Sequence, residues 1–163
     1  SHSLLFPRSL VPLFRVSFYQ PSEFQTMKKA VPITAVLLSF AIAAQADELF
    51  VSIHSGAVMA QGAGLVLAGQ ALEQKVDVRV LLCDAAGDIA VTGQNMPSLK
   101  PRNVTPQQML QGLIKAGAKI EVCALYLPNT GRQATDLLAG VTPAKPADIA
   151  AHLLKPGVRT LAF

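Results

Sequence analysis

Hydrophobic and polar positions along this chain follow two alternating patterns. Short apolar runs rich in β-branched residues predict strands, at 49–54, 76–83, 119–127 and 158–163. Longer Ala-, Leu- and Gln-rich stretches predict helices, at 57–75, 106–116 and 146–154, with a helical turn at 135–139 and a loop at 84–106. Strands that alternate with helices predict right-handed crossovers and a mostly parallel sheet. The predicted fold class is α/β, a small three-layer, flavodoxin-like sheet with helices on both faces.

Two of the predicted helices carry local signals. Thr105, Pro106 and Gln108 supply an N-cap, a proline in the first turn and the partner of a capping box for the helix 106–116. Gly62 and Gly64 lie inside the helix 57–75, where each glycine costs about 1 kcal/mol relative to alanine. They predict close packing of this helix onto the sheet. A dinucleotide-binding turn is the alternative, but its glycines would stand at the beginning of the helix and not inside it.

The N-terminal region has a different composition from the rest of the chain. Residues 1–26 mix Phe, Pro and Arg without a period, and are interpreted as tag or upstream sequence. Residues 27–46 contain two lysines, an apolar run at 30–43 and the sequence Ala-Gln-Ala at 44–46, an order typical of a secretory signal peptide. The run is shorter than the roughly 20 residues of a membrane span. We expect a domain over 47–163 that is periplasmic or secreted and has no membrane segment after cleavage, with an organellar transit peptide as the alternative.

Charge and length limit the function classes. The 163 residues allow one domain. The net charge of +4 arises mainly before residue 47, because residues 47–163 hold ten basic and nine acidic side chains. That balance does not indicate a nucleic-acid or anionic membrane partner. The two cysteines, Cys83 and Cys123, would form a disulfide by default in an oxidising compartment.

The candidate chemistry lies where the predicted strands end. His54, Cys83 and Cys123 all fall near the carboxyl ends of strands, where open parallel sheets bind their ligands. Thiolate and imidazole suit zinc or copper, but three scattered ligands without a close pair do not predict a metal site, and we expect no cofactor. His152, in the last helix, is interpreted as a surface or packing residue.

Several segments of the chain carry a resemblance to known proteins, namely Ser55-Gly56, Gly69-Gln70-Ala71-Leu72, Val76–Cys83 with Gly87, Gly117–Ala124, Gly131-Arg132 and Val158–Phe163. Together they resemble the DsrE/DsrF-like sulfur-relay family, including its TusD-like members. The resemblance implies a DsrE-like fold and a persulfide on Cys123, so that the protein would be a sulfurtransferase or sulfur carrier. Its implied partners are a sulfur donor or acceptor protein or a small thiol. The ring-like assemblies of the family imply a homo-oligomer, for which 110–118, with Lys115 as its sole charge, offers apolar surface.

The residues themselves leave alternatives open. The position of Cys123 in an apolar strand by itself favours a small buried hydrophobe, and it is the family resemblance that favours a reactive cysteine. His54 could assist Cys123 if the first and third strands are neighbours. Cys83 is a core residue, a disulfide partner of Cys123 or a second redox thiol. In the usual strand order the first strand separates the second and third, which puts the cysteines about 9.5 Å apart, so a disulfide would require the loops to bend inward. A noncatalytic binding or assembly module on the same fold is the rival hypothesis.

Overall fold

The structure is a computed structural model that describes residues 48–163. The predicted upstream sequence 1–26 and signal peptide 27–46 lie outside the described residues, so both stay predictions. Among the helices at 48–163, none is sufficiently long and apolar to cross a membrane.

The described residues form strands and helices in the alternation that the sequence predicts, and the α/β fold class is confirmed. The strands are β1 (Glu48–Ile53), β2 (Asp77–Leu82), β3 (Lys119–Val122), β4 (Val141–Pro143) and β5 (Val158–Ala162). The α-helices are α1 (Val58–Glu73), α2 (Pro106–Lys115), α3 (Tyr126–Thr130) and α4 (Pro146–Leu153). Two 3-10 helices span Asp84–Ala90 and Ala134–Asp136.

The five strands form one parallel sheet in the order β4-β3-β2-β1-β5. The first three crossovers step in one direction, and right-handed crossovers in one direction put their helices on one face. The connection from β4 to β5 returns in the opposite direction, and its helix α4 contacts the other face through His152 and Phe50. The expected order, with the first strand between the second and third, is wrong because β2 lies between β1 and β3.

The hydrophobic core lies between the sheet and the helices α1 and α2. Alternate residues of the central strands are buried there, namely Val51, Ile53, Val80, Leu82, Ile120 and Val122. At Gly64 a Cβ atom would lie 2.9 Å from Ile53 Cδ1 and 3.0 Å from Phe163 Cδ2, so a larger residue would push α1 away from the sheet. The predicted close packing onto the sheet is confirmed for Gly64 but is wrong for Gly62, which lies against Leu99, outside the sheet.

Three predicted boundaries differ from the structure. The strand expected at 119–127 ends at Val122, and Tyr126 begins α3, because an apolar run alone cannot distinguish a strand from a buried helical turn. The loop expected from residue 84 begins with a 3-10 helix, and the helical turn expected at 135–139 is the short 3-10 helix before β4. The strand β4 itself was not predicted, since its three residues include Pro143.

Candidate functional site

One imidazole and two thiol side chains belong to neighbouring residues at the carboxyl edge of the sheet. His54, Cys83 and Cys123 directly follow β1, β2 and β3, and we call them the edge row. Cys83 donates its backbone N–H to the Ile53 carbonyl at 2.9 Å, and Cys123 donates its own to the Leu82 carbonyl at 2.8 Å. These bonds extend the parallel ladder by one residue, so the order of the row is His54, Cys83, Cys123.

The two cysteines are direct neighbours. Because β2 pairs with β3, they stand one strand spacing apart, about 4.8 Å. The expected separation of two spacings is therefore wrong. One spacing lies inside the Cα range of about 4.4–6.8 Å that a disulfide requires. Both side chains are free thiols in this structure.

The two thiols differ in exposure and acidity. Cys83 is 8% exposed, whereas Cys123 is half-buried. Burial raises the pKa of Cys83 to about 12, with further contributions from its hydrogen bond with Cys123 and from the negative charge of Asp84. The Cys83 thiol therefore keeps its proton at neutral pH and can donate it to the neighbouring sulfur, while Cys123 is the thiol that solvent reaches.

His54 is not a neighbour of Cys123. The condition for a direct role, adjacent first and third strands, is not met because β2 intervenes. His54 is exposed, its Nε2 lies 2.6 Å from Ser52 Oγ, and its backbone N–H donates to the Phe163 carbonyl at 2.8 Å. The imidazole stands next to Cys83 in the row, and its nearest hydrogen-bonding partner belongs to its own strand.

A second cluster, which was not predicted from the sequence, joins the segment that follows Cys83 to the segment that follows Cys123 by polar contacts. Tyr126 donates its hydroxyl proton to Asp88 Oδ1 at 2.6 Å, and Arg132 Nη2 lies 3.1 Å from the same oxygen. Burial, followed by the hydrogen bond to Asp88, raises the pKa of Tyr126. Gly87 lies against the Tyr126 ring. Gly87 and Arg132 both fall in segments that resemble the DsrE-like family, and this resemblance was the one sequence feature that could have pointed to the cluster.

The amino half of the same sheet carries polar side chains that contact one another, although Arg79 Nη2 and His152 Nε2 are buried without a hydrogen-bond partner among the described residues. Arg79 Nε lies 2.5 Å from Glu121 Oε2, and both side chains are buried. His152 Nδ1 lies 3.3 Å from Glu48, and its ring centroid is 5.8 Å from that of Phe50. His152 is therefore a buried packing residue, one of the two roles expected for it.

Within 48–163, no three His, Cys, Asp or Glu side chains converge as metal ligands. Although His54, Cys83 and Cys123 share one edge, they stand in a line. Three residues in a line do not by themselves form the tetrahedral ligand set that a zinc site uses.

Comparison with known proteins identifies the fold. The ychN protein from E. coli superposes with a TM-score of 0.61 at 22% identity, covering 73% of this chain and 100% of that one. MTH1491, a protein of unknown function from Methanobacterium thermoautotrophicum, gives 0.54 at 14% identity, with 72% and 99% covered. No protein-family model and no curated protein sequence matches the chain. Both likenesses lie below 25% identity and show the fold, so the chain shares the α/β fold of these two neighbours.

Proposed function

We propose that this protein is an exported DsrE-like sulfur carrier or sulfurtransferase that holds sulfane sulfur as a persulfide on Cys123. The observation that carries the proposal is the pairing of an accessible thiol, Cys123, with a buried protonated thiol, Cys83, at the ligand-binding edge of a DsrE-like sheet. A reactive cysteine needs access to solvent and a group that stabilises its anionic form. The Cys83 S–H supplies such a group as a hydrogen-bond donor.

The loading step transfers one sulfur atom. The Cys123 thiolate attacks a terminal sulfur of a polysulfide, one S–S bond of the polysulfide breaks, and the shortened polysulfide leaves with the electron pair of that bond. The product is a persulfide whose terminal sulfur carries the negative charge. Cys83 keeps its proton during this step and donates a hydrogen bond to the charged sulfur. His54 has no direct part in this proposal, because Cys83 stands between it and Cys123.

The donor or acceptor in this proposal is a protein or a small thiol, and the compartment is the periplasm or the exterior. Support for export comes from the sequence alone, from Lys28, Lys29, the apolar run at 30–43 and the Ala-Gln-Ala at 44–46. N-terminal sequencing of material recovered from the periplasm or medium tests it. A chain that begins at residue 47 supports export, and an uncleaved chain found only inside the cell overturns it.

The proposal includes a homo-oligomer, with a different contact surface from the one inferred from sequence. Leu110 and Leu113 of α2 are buried in the core, so 110–118 does not supply that surface. The outer side of α1 instead exposes Met59, Val66 and Leu67, at 75%, 51% and 45%. A helix that is apolar on both sides is typically covered on both. A second copy of this chain is the proposed cover, and light scattering at micromolar concentration tests it: an oligomer supports the proposal and a monomer overturns it.

The test of the sulfur chemistry is loading of the full-length chain with inorganic polysulfide, followed by mass spectrometry of the intact protein and of its peptides. We expect one added sulfur on Cys123 in the Cys83→Ser variant, and no addition in Cys123→Ser. The matched pair of serine variants removes one thiol of the same row in each case. Loading of Cys83 in Cys123→Ser, or no loading of Cys123 in folded Cys83→Ser, would overturn the persulfide proposal in favour of the noncatalytic binding or assembly module.

A further inference from the structure

Cys83 and Cys123 form a pair whose two thiols have different access to solvent. They are adjacent in the ladder, and the backbone bond from Cys123 to Leu82 fixes their register. Cys123 is half-buried, whereas its neighbour Cys83 is 8% exposed. A small sulfur donor can therefore reach Cys123. Once the Cys123 sulfur is modified, Cys83 is the neighbouring thiol that can reach it.

Resting on the Cys123 persulfide of the proposed function, we propose that Cys83 is a resolving thiol that converts this persulfide into hydrosulfide and a Cys83–Cys123 disulfide. Cys83 first passes its proton to the charged terminal sulfur, and the resulting Cys83 thiolate then attacks the inner sulfur, that is, the Sγ of Cys123. The bond between Cys123 Sγ and the terminal sulfur breaks, and the terminal sulfur leaves with the bonding electrons. The proton of Cys83 ends on the departing sulfur, which is released as hydrosulfide.

The electrons balance within the pair. The sulfane sulfur gains two electrons, and each cysteine sulfur loses one as the disulfide forms. Regeneration needs a reductant, for which we name an external dithiol: it gives two electrons and two protons to the disulfide and becomes a disulfide itself. The protein would then be a persulfide reductase in addition to a carrier.

The backbone at the edge row allows the two sulfurs to meet. Each cysteine stands one residue beyond the end of its strand, where the ladder no longer holds the following residue. Cys83 leads into the 3-10 helix Asp84–Ala90, and Cys123 leads into the turn before α3. The hydrogen bond from Tyr126 to Asp88 holds these two segments together, so the thiols remain neighbours while either side chain rotates.

The experiment treats full-length wild type, Cys83→Ser and Cys83→Ala with inorganic tetrasulfide, removes the excess, and measures released sulfide and protein mass. We expect wild type to release about one sulfide per chain and to lose two hydrogens as peptides 83 and 123 become linked. Both Cys83 variants should retain the added sulfur on Cys123 and release sulfide at least about tenfold more slowly. Thermal unfolding establishes that each variant is folded, and the alanine variant serves if a buried serine hydroxyl destabilises the other.

The outcomes separate the two proposals. If Cys123 loads and wild type releases sulfide no faster than the Cys83 variants, the resolving role is overturned while the carrier function stands. If Cys123 does not load in any folded variant, the carrier function is overturned and the resolving role with it. In a parallel arm, diamide oxidation of wild type should give an intramolecular disulfide. Disulfide-linked dimers in place of it would overturn the resolving role independently of any persulfide.

Discussion

The two ends of the same sheet use polar residues in different ways. At the amino half, the Arg79 guanidinium pairs with the Glu121 carboxylate and the His152 ring lies against Glu48, so these polar side chains contact one another within the fold. At the carboxyl edge, the thiols of Cys83 and Cys123 have each other as neighbours, and one of them meets solvent. The comparison teaches that burial of polar groups is not itself a sign of function. The amino half contains polar contacts within the fold, and the carboxyl edge contains two free thiols.

The largest expected effect is on the amino half. Replacing Glu121 with Gln leaves the Arg79 guanidinium buried without its carboxylate, which should lower the free energy of unfolding by about 3–5 kcal/mol. Urea unfolding measures this loss. Replacing Lys119 with Met is the matched control, because Lys119 is exposed and its contact with Glu121 should contribute less than about 1 kcal/mol. If folded Glu121→Gln lost sulfur loading with unchanged stability, the separation of the two ends would be wrong.

Alkylation rates sharpen the contrast within the edge row. At pH 8 an increase in pKa from 9.0 to about 12 reduces the thiolate of Cys83 about a thousandfold. The greater nucleophilicity of the remaining thiolate offsets part of this, which leaves Cys83 about 30-fold slower than an unperturbed thiol. Iodoacetamide labelling followed by peptide mass spectrometry should show Cys123 modified first. Equal labelling of both cysteines in the folded chain would contradict the burial of Cys83.

The same pKa gives stability a defined dependence on alkaline pH. The folded state binds the Cys83 proton more tightly than the unfolded state, so this contribution is fully present below pH 9 and is lost as pH rises toward 12. The difference between wild type and Cys83→Ala in free energy of unfolding should therefore shrink over that interval. A difference that stays constant between pH 8 and pH 11 would contradict the assignment.

A glycine pair tests whether the segments beside the cysteines are held by packing. In Gly87→Ala the new Cβ would meet the Tyr126 ring, and displacement of that ring should cost about 1–2 kcal/mol and weaken its hydrogen bond to Asp88. Gly112→Ala is the matched control, because no atom outside α2 lies within 4 Å and a mid-helix glycine disfavours the helix. Thermal unfolding should show Gly87→Ala less stable and Gly112→Ala equally or more stable than wild type. The reverse order would contradict this packing.

The smallest expected effect concerns His152. Burial, followed by the positive charge of Arg79, lowers the pKa of His152, although Glu48 opposes this. The unfolded chain then binds a proton more readily, so stability falls as pH drops below about 6.5. His152→Gln should flatten this slope between pH 7 and pH 5 in urea unfolding. An unchanged slope would assign the acid sensitivity to other groups.

Local signals predicted those parts of the fold that depend on neighbouring residues. The capping box is present as expected, with the Gln108 N–H donating to Thr105 Oγ1 at 3.2 Å and the Thr105 N–H donating to Gln108 Oε1 at 2.9 Å. The run Val76–Cys83 predicted β2 to within one residue at either end, because β-branched residues suit a buried strand.

Strand order and contacts distant in sequence could not be predicted in this way. The sequence placed His54, Cys83 and Cys123 at one edge but did not reveal which stood in the middle, since crossover direction depends on packing of whole helices against the sheet. Tyr126 and Asp88 are 38 positions apart, and no local period links them. The strand order determines whether the two thiols are neighbours. It is therefore the feature of the fold on which the proposed chemistry depends most, and local sequence signals did not predict it.

The position of β1 inside the sheet has a consequence for the route of folding. β1 pairs on one side with β2 and on the other with β5, where Glu48 stands opposite Val158. Closing that second contact joins segments about 110 residues apart, with a larger loop entropy than any other strand pair in the described sheet. We expect β1, β2 and β3 to assemble early, and β5 to dock only after it has emerged from the ribosome. A ribosome-bound nascent chain that lacks β5 would therefore hold its two cysteines already side by side while one edge of β1 remained open.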